Sequence, residues 1–251
     1  MRFDVISLFP EWVVSVAHYG VVRRALEQGV ITVQGINPRD YTQDVHRTVD
    51  DRPYGGGPGM LMKADCLLPA IRDAREVNAG PVIYLSPQGK PFTQAKAHQL
   101  SQQAGLIMLC GRYEGIDERV LALEVDAEYS LGDYVLSGGE LGAMVLIDCV
   151  TRLLPGVLGH QDSAQQDSFM DGLLDCPHYT RPEQVEGLDV PSVLKSGDHA
   201  AIARWRRQQS LGATWRKRPD LLQGKILKPA DQKLLDEYRQ EYRISSEVDH
   251  E

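Results

Sequence analysis

An α/β fold on a mostly parallel sheet, with helices on both faces and a small α-helical C-terminal domain, is predicted by three features of the chain. Short apolar segments alternate with helical stretches as far as Pro155, the pattern of strands joined by crossover helices. Two segments, Val82–Leu85 (VIYL) and Leu106–Cys110 (LIMLC), are continuous apolar runs, as expected of central strands covered on both faces. Beyond Pro155 the alternation stops, and the remaining periodic stretches are helical.

In order, the sequence predicts a strand in RFDVISLF (Arg2–Phe9), a helix over Glu11–Gln28, a strand in VITVQGI (Val30–Ile36), a polar loop and a helix over Lys63–Asn78. Next come a strand in PVIYLS (Pro81–Ser86), a helix over Thr93–Ala104, the LIMLC strand, a short helix and a strand in LEVDAEYS (Leu123–Ser130). The Gly-studded loop Ser130–Glu140 then runs into a helix whose expected buried face is Ala143, Val145, Leu146, Val150 and Leu153. Residues 159–183 are polar with little periodicity and read as a long linker, a type of segment that often serves as a lid or binding loop. Gly197–Gln209 and Pro229–Arg243 look helical.

The 251 residues are 42% hydrophobic, enough for a real core, and carry a formal net charge of −8, which argues against indiscriminate coating of nucleic acid. Between Lys195 and Lys228, however, nine basic residues face only Asp198 and Asp220, with Trp205 and Trp215 interleaved. This stretch is either a phosphate-binding face or a solvated helix surface. Four widely separated cysteines without a CxxC pair suggest neither a disulfide framework nor a zinc site. With no basic leader and no run of roughly 18 apolar residues, the expectation is a cytoplasmic protein with no membrane segment.

Three turns follow successive expected strands: Ser86–Lys90 (SPQGK), Gly111–Asp117 (GRYEGID) and Ser130–Glu140. Ligands of open α/β sheets bind at the carboxyl ends of strands, so these turns together predict a pocket. No GxxxxGK[ST] occurs and no GxGxxG follows the first strand. PYGGGPGM (Pro53–Met60) lacks the Lys-Ser/Thr that reaches phosphate and suits either a hinge or close packing.

The strings VISLFPE (from Val5), DDRPYGGGPGM (Asp50), YLSPQGK (Tyr84), GRYEGIDER (Gly111), EYSLGDYVLSGGE (Glu128), QDSF (Gln166), CPHYTRP (Cys176) and SGDH (Ser196) span almost the whole chain. Together they resemble the bacterial tRNA (guanine-N1)-methyltransferases, a SPOUT-class family. The resemblance implies a deep trefoil knot after Tyr84. It implies S-adenosylmethionine as methyl donor, held by Tyr84, Leu85, Ser86, Pro87, Gly111, Tyr113, Glu114, Ser130, Leu131, Gly132, Tyr134, Leu136, Gly138 and Gly139. It further implies Asp167 as the general base that removes the N1 proton, and Arg152 as the group that braces the purine and meets charge developing on O6.

The target it implies is the guanosine at tRNA position 37, in the anticodon stem-loop, where N1 is not sealed in a duplex. The implied assembly is a homodimer with each active site at the interface. The implied domains are a knotted donor domain, 1–159, an interdomain linker, 160–176, and a helical tRNA-binding domain, 177–251, gripping phosphates near Arg204, Arg207 and Arg216. Glu114 either coordinates a divalent cation or tunes charge near the donor, whereas His160, Cys176 and His178 lack metal-ligand spacing. Gly142 departs from the family pattern, which has proline there, and puts the rigidity of the helix start in question. The rival functions are a non-catalytic RNA-binding module and a different nucleotide-using transferase.

Overall fold

Five strands form one sheet in the order β2-β1-β6-β5-β7, and every neighbouring pair is parallel. In this computed structural model, which describes residues 1–159 and 167–248, they are β1 (Arg2–Ile6), β2 (Thr32–Ile36), β5 (Val82–Pro91), β6 (Gly105–Cys110) and β7 (Ala127–Ser130). Two-residue strands β3 (Asp50–Asp51) and β4 (Leu61–Met62) pair as a separate ribbon. The helices of this part are α1 (Pro10–Val14), α2 (Gly20–Glu27), α3 (Ala64–Val77), α4 (Gln94–Leu100), α5 (Glu118–Glu124) and α6 (Glu140–Thr151).

Side chains alternate across a strand, and here the two faces meet different helices. Phe3, Val5, Ile83, Leu85, Leu106 and Met108 pack with buried residues of α1, α2 and α6. Ile6, Val82, Tyr84, Ile107 and Leu109 pack with α3 and α5. All six residues of β6 are buried, which explains its unbroken apolar run.

Local chemistry sets the boundaries, and several differ from expectation. The stretch expected as one helix from Glu11 to Gln28 is broken: a 3-10 turn over Ser15–His18 follows α1, Tyr19 is extended, and Gly20 opens α2 with a left-handed φ of 57°. Helix α4 starts on the Thr93 hydroxyl, which accepts from the Lys96 N–H at 3.3 Å, and ends at Leu100 rather than Ala104, where the Ser101 hydroxyl donates to the His98 carbonyl. Leu123 and Glu124 close α5 instead of opening β7, because Glu124 is held by Arg72 at 2.7 Å and Arg75 at 3.5 Å, both on α3.

The SPQGK segment is not a turn beyond a strand but an excursion within β5. Leu85 and Lys90 both pair with Tyr129, so residues 86–89 are looped out of the ladder. On α6, Ala143, Leu146, Ile147 and Val150 are buried, but Val145 is 42% exposed and points outward. It lies one residue, about 100° of helical rotation, off the buried stripe and lines up instead with Leu141, Asp148 and Arg152. The helix runs unbroken through Gly142.

The chain divides by contacts into Met1–Gln161 and Asp162–Glu251. In the second unit, a two-strand hairpin of β8 (Gln184–Val185) and β9 (Leu188–Asp189) precedes α7 (Ser192–Lys195), α8 (His199–Lys217) and α9 (Pro229–Val248). Helices α8 and α9 are both longer than their sequence patterns suggested. Leu173, Leu211, Leu234 and Leu235 form the core of this unit. No helix among the described residues is long and apolar enough to cross a membrane.

A polar hub supports the sheet: the buried Asn78 amide donates to Asp4 Oδ2 at 2.7 Å and to the Leu106 carbonyl at 3.1 Å, while its oxygen accepts from the Gly80 N–H at 2.9 Å. Asn78→Asp would set a carboxylate against buried Asp4 and remove both donated bonds. The expected loss of unfolding free energy at pH 7 is at least about 3 kcal/mol, and urea titration measures it.

Candidate active site

β6, β5 and β7 are neighbours in parallel register, so their C-terminal ends open at one edge of the sheet. There the Gly111–Asp117 and Ser130–Glu140 loops touch directly. The Gly139 N–H donates to the Gly111 carbonyl at 3.0 Å, and Arg112 and Gly138 form an isolated antiparallel bridge. A Cβ on Gly139 would lie 2.8 Å from Cys110 Cα, and one on Gly138 would lie 2.4 Å from both Arg112 Nε and Glu140 Oε2. Side chains at these two positions would therefore hold the loops apart.

The expected donor residues take distinct places at this edge. The Tyr84 and Leu85 side chains are buried on opposite faces of the sheet, so what they offer the edge is strand-end backbone. Ser86 and Pro87 lie in the excursion from β5, where the Ser86 hydroxyl accepts from the Gln88 N–H at 3.1 Å. Gly111 lies against the Tyr84 ring. Tyr113, 49% exposed, holds a left-handed φ of 61°, an uncommon state for a non-glycine residue that is found disproportionately at functional loops. The Glu114 N–H donates to the Met60 carbonyl at 3.0 Å and its side chain crowds Gly59, so the GGGPG segment packs against this loop.

Ser130 is buried and its hydroxyl accepts from the Gly132 N–H at 3.2 Å. Leu131 is half-buried and reaches toward Gly142, and Gly132 packs on the Tyr134 ring. Tyr134 and Leu136 are exposed. The edge thus combines backbone donors and acceptors with apolar and aromatic surface, which fits an adenosine-bearing donor.

Arg152 does not join this group within the unit. It caps the C-terminal end of α6, about 20 Å along the axis from Gly139 at 1.5 Å per residue. It lies on the outward stripe with Leu141, Val145 and Asp148, as a surface helix arginine would.

Asp167 is half-buried in the second unit, on a segment fastened to α8 and α9. The Asp167 carbonyl accepts from the Met170 N–H at 3.3 Å. The Ser168 hydroxyl accepts from the Asp175 N–H at 2.9 Å. The Leu174 N–H donates to Thr214 Oγ1 at 2.9 Å, and Ser210 donates to the Leu174 carbonyl at 2.5 Å.

Three arginines expected on phosphates have partners inside this unit. Arg204 pairs with Glu237 at 2.5 Å, and Arg216 lies 4.5 Å over the Tyr242 ring. Arg207 forks onto Asp231 at 3.0 and 2.8 Å and also pairs with Asp171, and the Asp231 hydrogen bonds raise its pKa further above the usual range. Arg206 and Lys217 are exposed on α8.

His160 lies outside the described residues. Cys176 and His178 are joined by Asp175, with donor atoms within 4.8 Å of one another. The His178 Nε2–Asp175 Oδ2 hydrogen bond of 2.8 Å and the Cys176 N–H to Asp175 bond of 2.7 Å account for that grouping. A cavity of about 360 Å³ beside β1, β2 and α3 is lined by Arg2, Asp4, Asp40, Asp73 and Glu76. Its acids are largely committed: Asp4 to Arg2 and Asn78, Asp40 to Arg47, and Asp73 to Tyr41. Its lining holds one glycine, Gly35, against the several that meet at the sheet edge.

Burial, with Glu128 and Glu118 nearby, pushes the Tyr84 phenol up to about 12 from the ordinary value of 10.0. Below pH 10 both folded and unfolded chains keep the proton, so the stabilisation is fully present. Between pH 10 and 12 only the unfolded chain ionises, so stability falls over that window. Tyr84→Phe should lose less stability than the wild type over the same range in denaturant titrations. Arg207→Gln should cost roughly 2 kcal/mol and accelerate amide exchange across 168–175, because the Asp171 anchor is lost.

A family profile described as tRNA (Guanine-1)-methyltransferase TrmD matches residues 1–224. The chain is 60% identical over 241 residues to a tRNA (guanine-N(1)-)-methyltransferase of Pseudoalteromonas atlantica, covering 95% of this chain and 91% of the relative. It is 58% identical over 250 residues to the protein of the same name from Chromobacterium violaceum, covering 97% and 98%. With that of Pseudomonas aeruginosa it shares 59% identity over 237 residues, covering 93% and 94%. Agreement along nearly the full length, through the strands, the edge loops and the helical unit, shows that the chain belongs to the tRNA (guanine-1)-methyltransferase family.

Proposed function

We propose that this chain transfers a methyl group from S-adenosylmethionine to N1 of the guanosine at tRNA position 37, beside the anticodon. The observation that carries this reading is the direct contact of the 111–117 and 130–140 loops beside the β5 excursion, in a chain of this family. The donor, when bound, supplies an electrophilic methyl on a sulfonium. Backbone groups at Ser86, Gly111 and Gly132–Gly139 would orient it, and Tyr113, Tyr134 and Leu136 would wall its adenosine. The knot implied for this family would lie in the same loops.

Guanine N1 carries a proton and has no free lone pair for attack. In this proposal the Asp167 carboxylate accepts that proton as the N1–methyl bond forms and the methyl–sulfur bond breaks, leaving neutral S-adenosylhomocysteine; the general-base contribution is roughly 10²- to 10⁴-fold. Arg152 directs its forked donors at O6, where negative charge grows as N1–H is lost. Alignment of the two reactants contributes in addition. A divalent cation near Glu114 is compatible with this chemistry and is not required by it.

The assembly proposed is a homodimer whose active site uses the edge loops of one subunit and Asp167 of the other. The outward Leu141 and Val145 of α6, with half-exposed Phe9 and Trp12 on the same unit, supply apolar surface of the kind that oligomers cover. The helical unit would hold the anticodon stem-loop, with the exposed Arg206 and Lys217 as its phosphate contacts in place of the internally paired arginines. A tRNA substrate and four free cysteines fit a reducing cytoplasm.

Incubation of unmodified tRNA with chain and donor, followed by mass spectrometry of nucleosides, should yield 1-methylguanosine from transcripts with G at position 37 and none from those with A. Asp167→Ala should keep the donor dissociation constant within twofold and lower turnover at least 100-fold. Absence of methylated base with intact tRNA binding would favour a non-catalytic RNA-binding module. Uptake of ATP rather than S-adenosylmethionine in calorimetry would indicate a different transferase.

A further inference from the structure

We propose that Glu140 is the positioning residue of the donor cleft, acting through Ser7 and Arg112 to hold three loops in one geometry. This inference rests on the reading of the sheet edge as a donor site. Glu140 opens α6, yet its side chain is 0% exposed. Water cannot solvate its charge, so a protein cation and hydrogen bonds must hold it.

Both come from other loops. Ser7, just beyond β1, donates from its hydroxyl to Glu140 Oε1 at 2.8 Å across 133 positions of sequence, and the same hydroxyl accepts from the Phe9 N–H at 2.9 Å. Arg112, just beyond β6, donates from Nε to Oε1 at 3.1 Å and from Nη1 to the Ser137 carbonyl at 3.2 Å. Glu140 Oε2 lies 3.0 Å from Arg112 Nε as a charge pair but accepts no hydrogen bond. Arg112 is itself shielded, 17% exposed, with its guanidinium 4.7 Å from the Phe9 ring centre and 5.9 Å from that of Trp12.

One carboxylate therefore joins the loop after β1, the loop after β6 and the loop that enters α6. Gly138 completes the arrangement, since any side chain there would occupy the space of the ion pair. None of the three groups needs to touch the donor. Each fixes the backbone of residues that would: Arg112 precedes Tyr113 and Glu114, and Ser137 and Glu140 bracket Gly138 and Gly139. Loosening the clasp should therefore weaken donor binding while leaving the tRNA surface as it is.

The test uses the full-length protein and its Arg112→Lys, Glu140→Gln and Arg112→Gln/Glu140→Gln variants, assayed well below their melting midpoints. Donor dissociation constants come from calorimetry with S-adenosylmethionine, and KM and kcat are determined separately for donor and tRNA. Each variant is expected to bind the donor at least tenfold more weakly, with tRNA KM changed less than twofold. The double variant should be no worse than the weaker single one, since the pair acts as a unit. A contribution to folding alone would lower the melting midpoint and leave these constants unchanged.

Arg112→Lys keeps the charge and loses the fork, so it decides the matter if the other variants do not fold. Donor affinity within twofold of wild type in folded Arg112→Lys would overturn the proposal. If the wild type binds no S-adenosylmethionine, the proposed function fails, and amide exchange judges the clasp separately. At least tenfold faster exchange over 111–115 and 137–142 in Arg112→Lys supports it, and unchanged exchange overturns it.

Discussion

Parallel register among β6, β5 and β7 is the constraint on which the rest of the site depends. Strands that run the same way must release their loops on the same side, and here three adjacent strands do so within one sheet. Covering both faces with helices removes any alternative route for those loops except along the edge. Contact between the loops then requires small residues at the crossing, which explains Gly138 and Gly139, and requires the buried charge at the start of α6 to be matched across the gap by Arg112. Backbone at this edge is held by packing on one side and by an ion pair on the other, so the groups proposed to bind the donor can be in place before it arrives.

The second unit solves a different problem. Asp167 sits in a stretch of weak periodicity, and such stretches have little apolar surface with which to hold a shape. Here the neighbouring Leu173 enters a small leucine core, and Arg207, Thr214 and Ser210 fasten the segment to α8. A general base of the kind proposed for Asp167 must reach its proton within hydrogen-bond distance, and a carboxylate on an anchored turn meets that need better than one on a free tether. Of the arginines that make α8 look like a phosphate-binding face, Arg207 helps to build this anchor, whereas Arg204 and Arg216 meet Glu237 and Tyr242 of α9, and Arg206 and Lys217 are exposed on α8.

What could be read from the sequence followed the range of the interaction concerned. Strands buried on both faces announce themselves by unbroken apolar runs, so the apolar parts of β5 and β6 were legible, as were α3 with its regular apolar spacing and the loops after β6 and β7. The break between α1 and α2, the outward turn of Val145 and the excursion inside β5 were not, because each depends on a local backbone state or on a neighbouring strand. The clasp on Glu140 joins residues 133 and 28 positions apart, and the Arg207 pair with Asp171 spans 36. No local pattern encodes such partners. The roles proposed for Asp167 and Arg152 come from family resemblance alone, since in isolation one is a linker carboxylate and the other a surface helix arginine.

A structure of the chain soaked with S-adenosylhomocysteine, the demethylated product of the proposed donor, tests the central claim most directly. The account predicts the nucleoside at the sheet edge, hydrogen-bonded to backbone within 84–87, 111–114 and 130–139, with its sulfur turned toward open solvent where a base could enter. Density for the nucleoside in the acid-lined cavity beside β1, β2 and α3, or no density at the edge under saturating ligand, would contradict it.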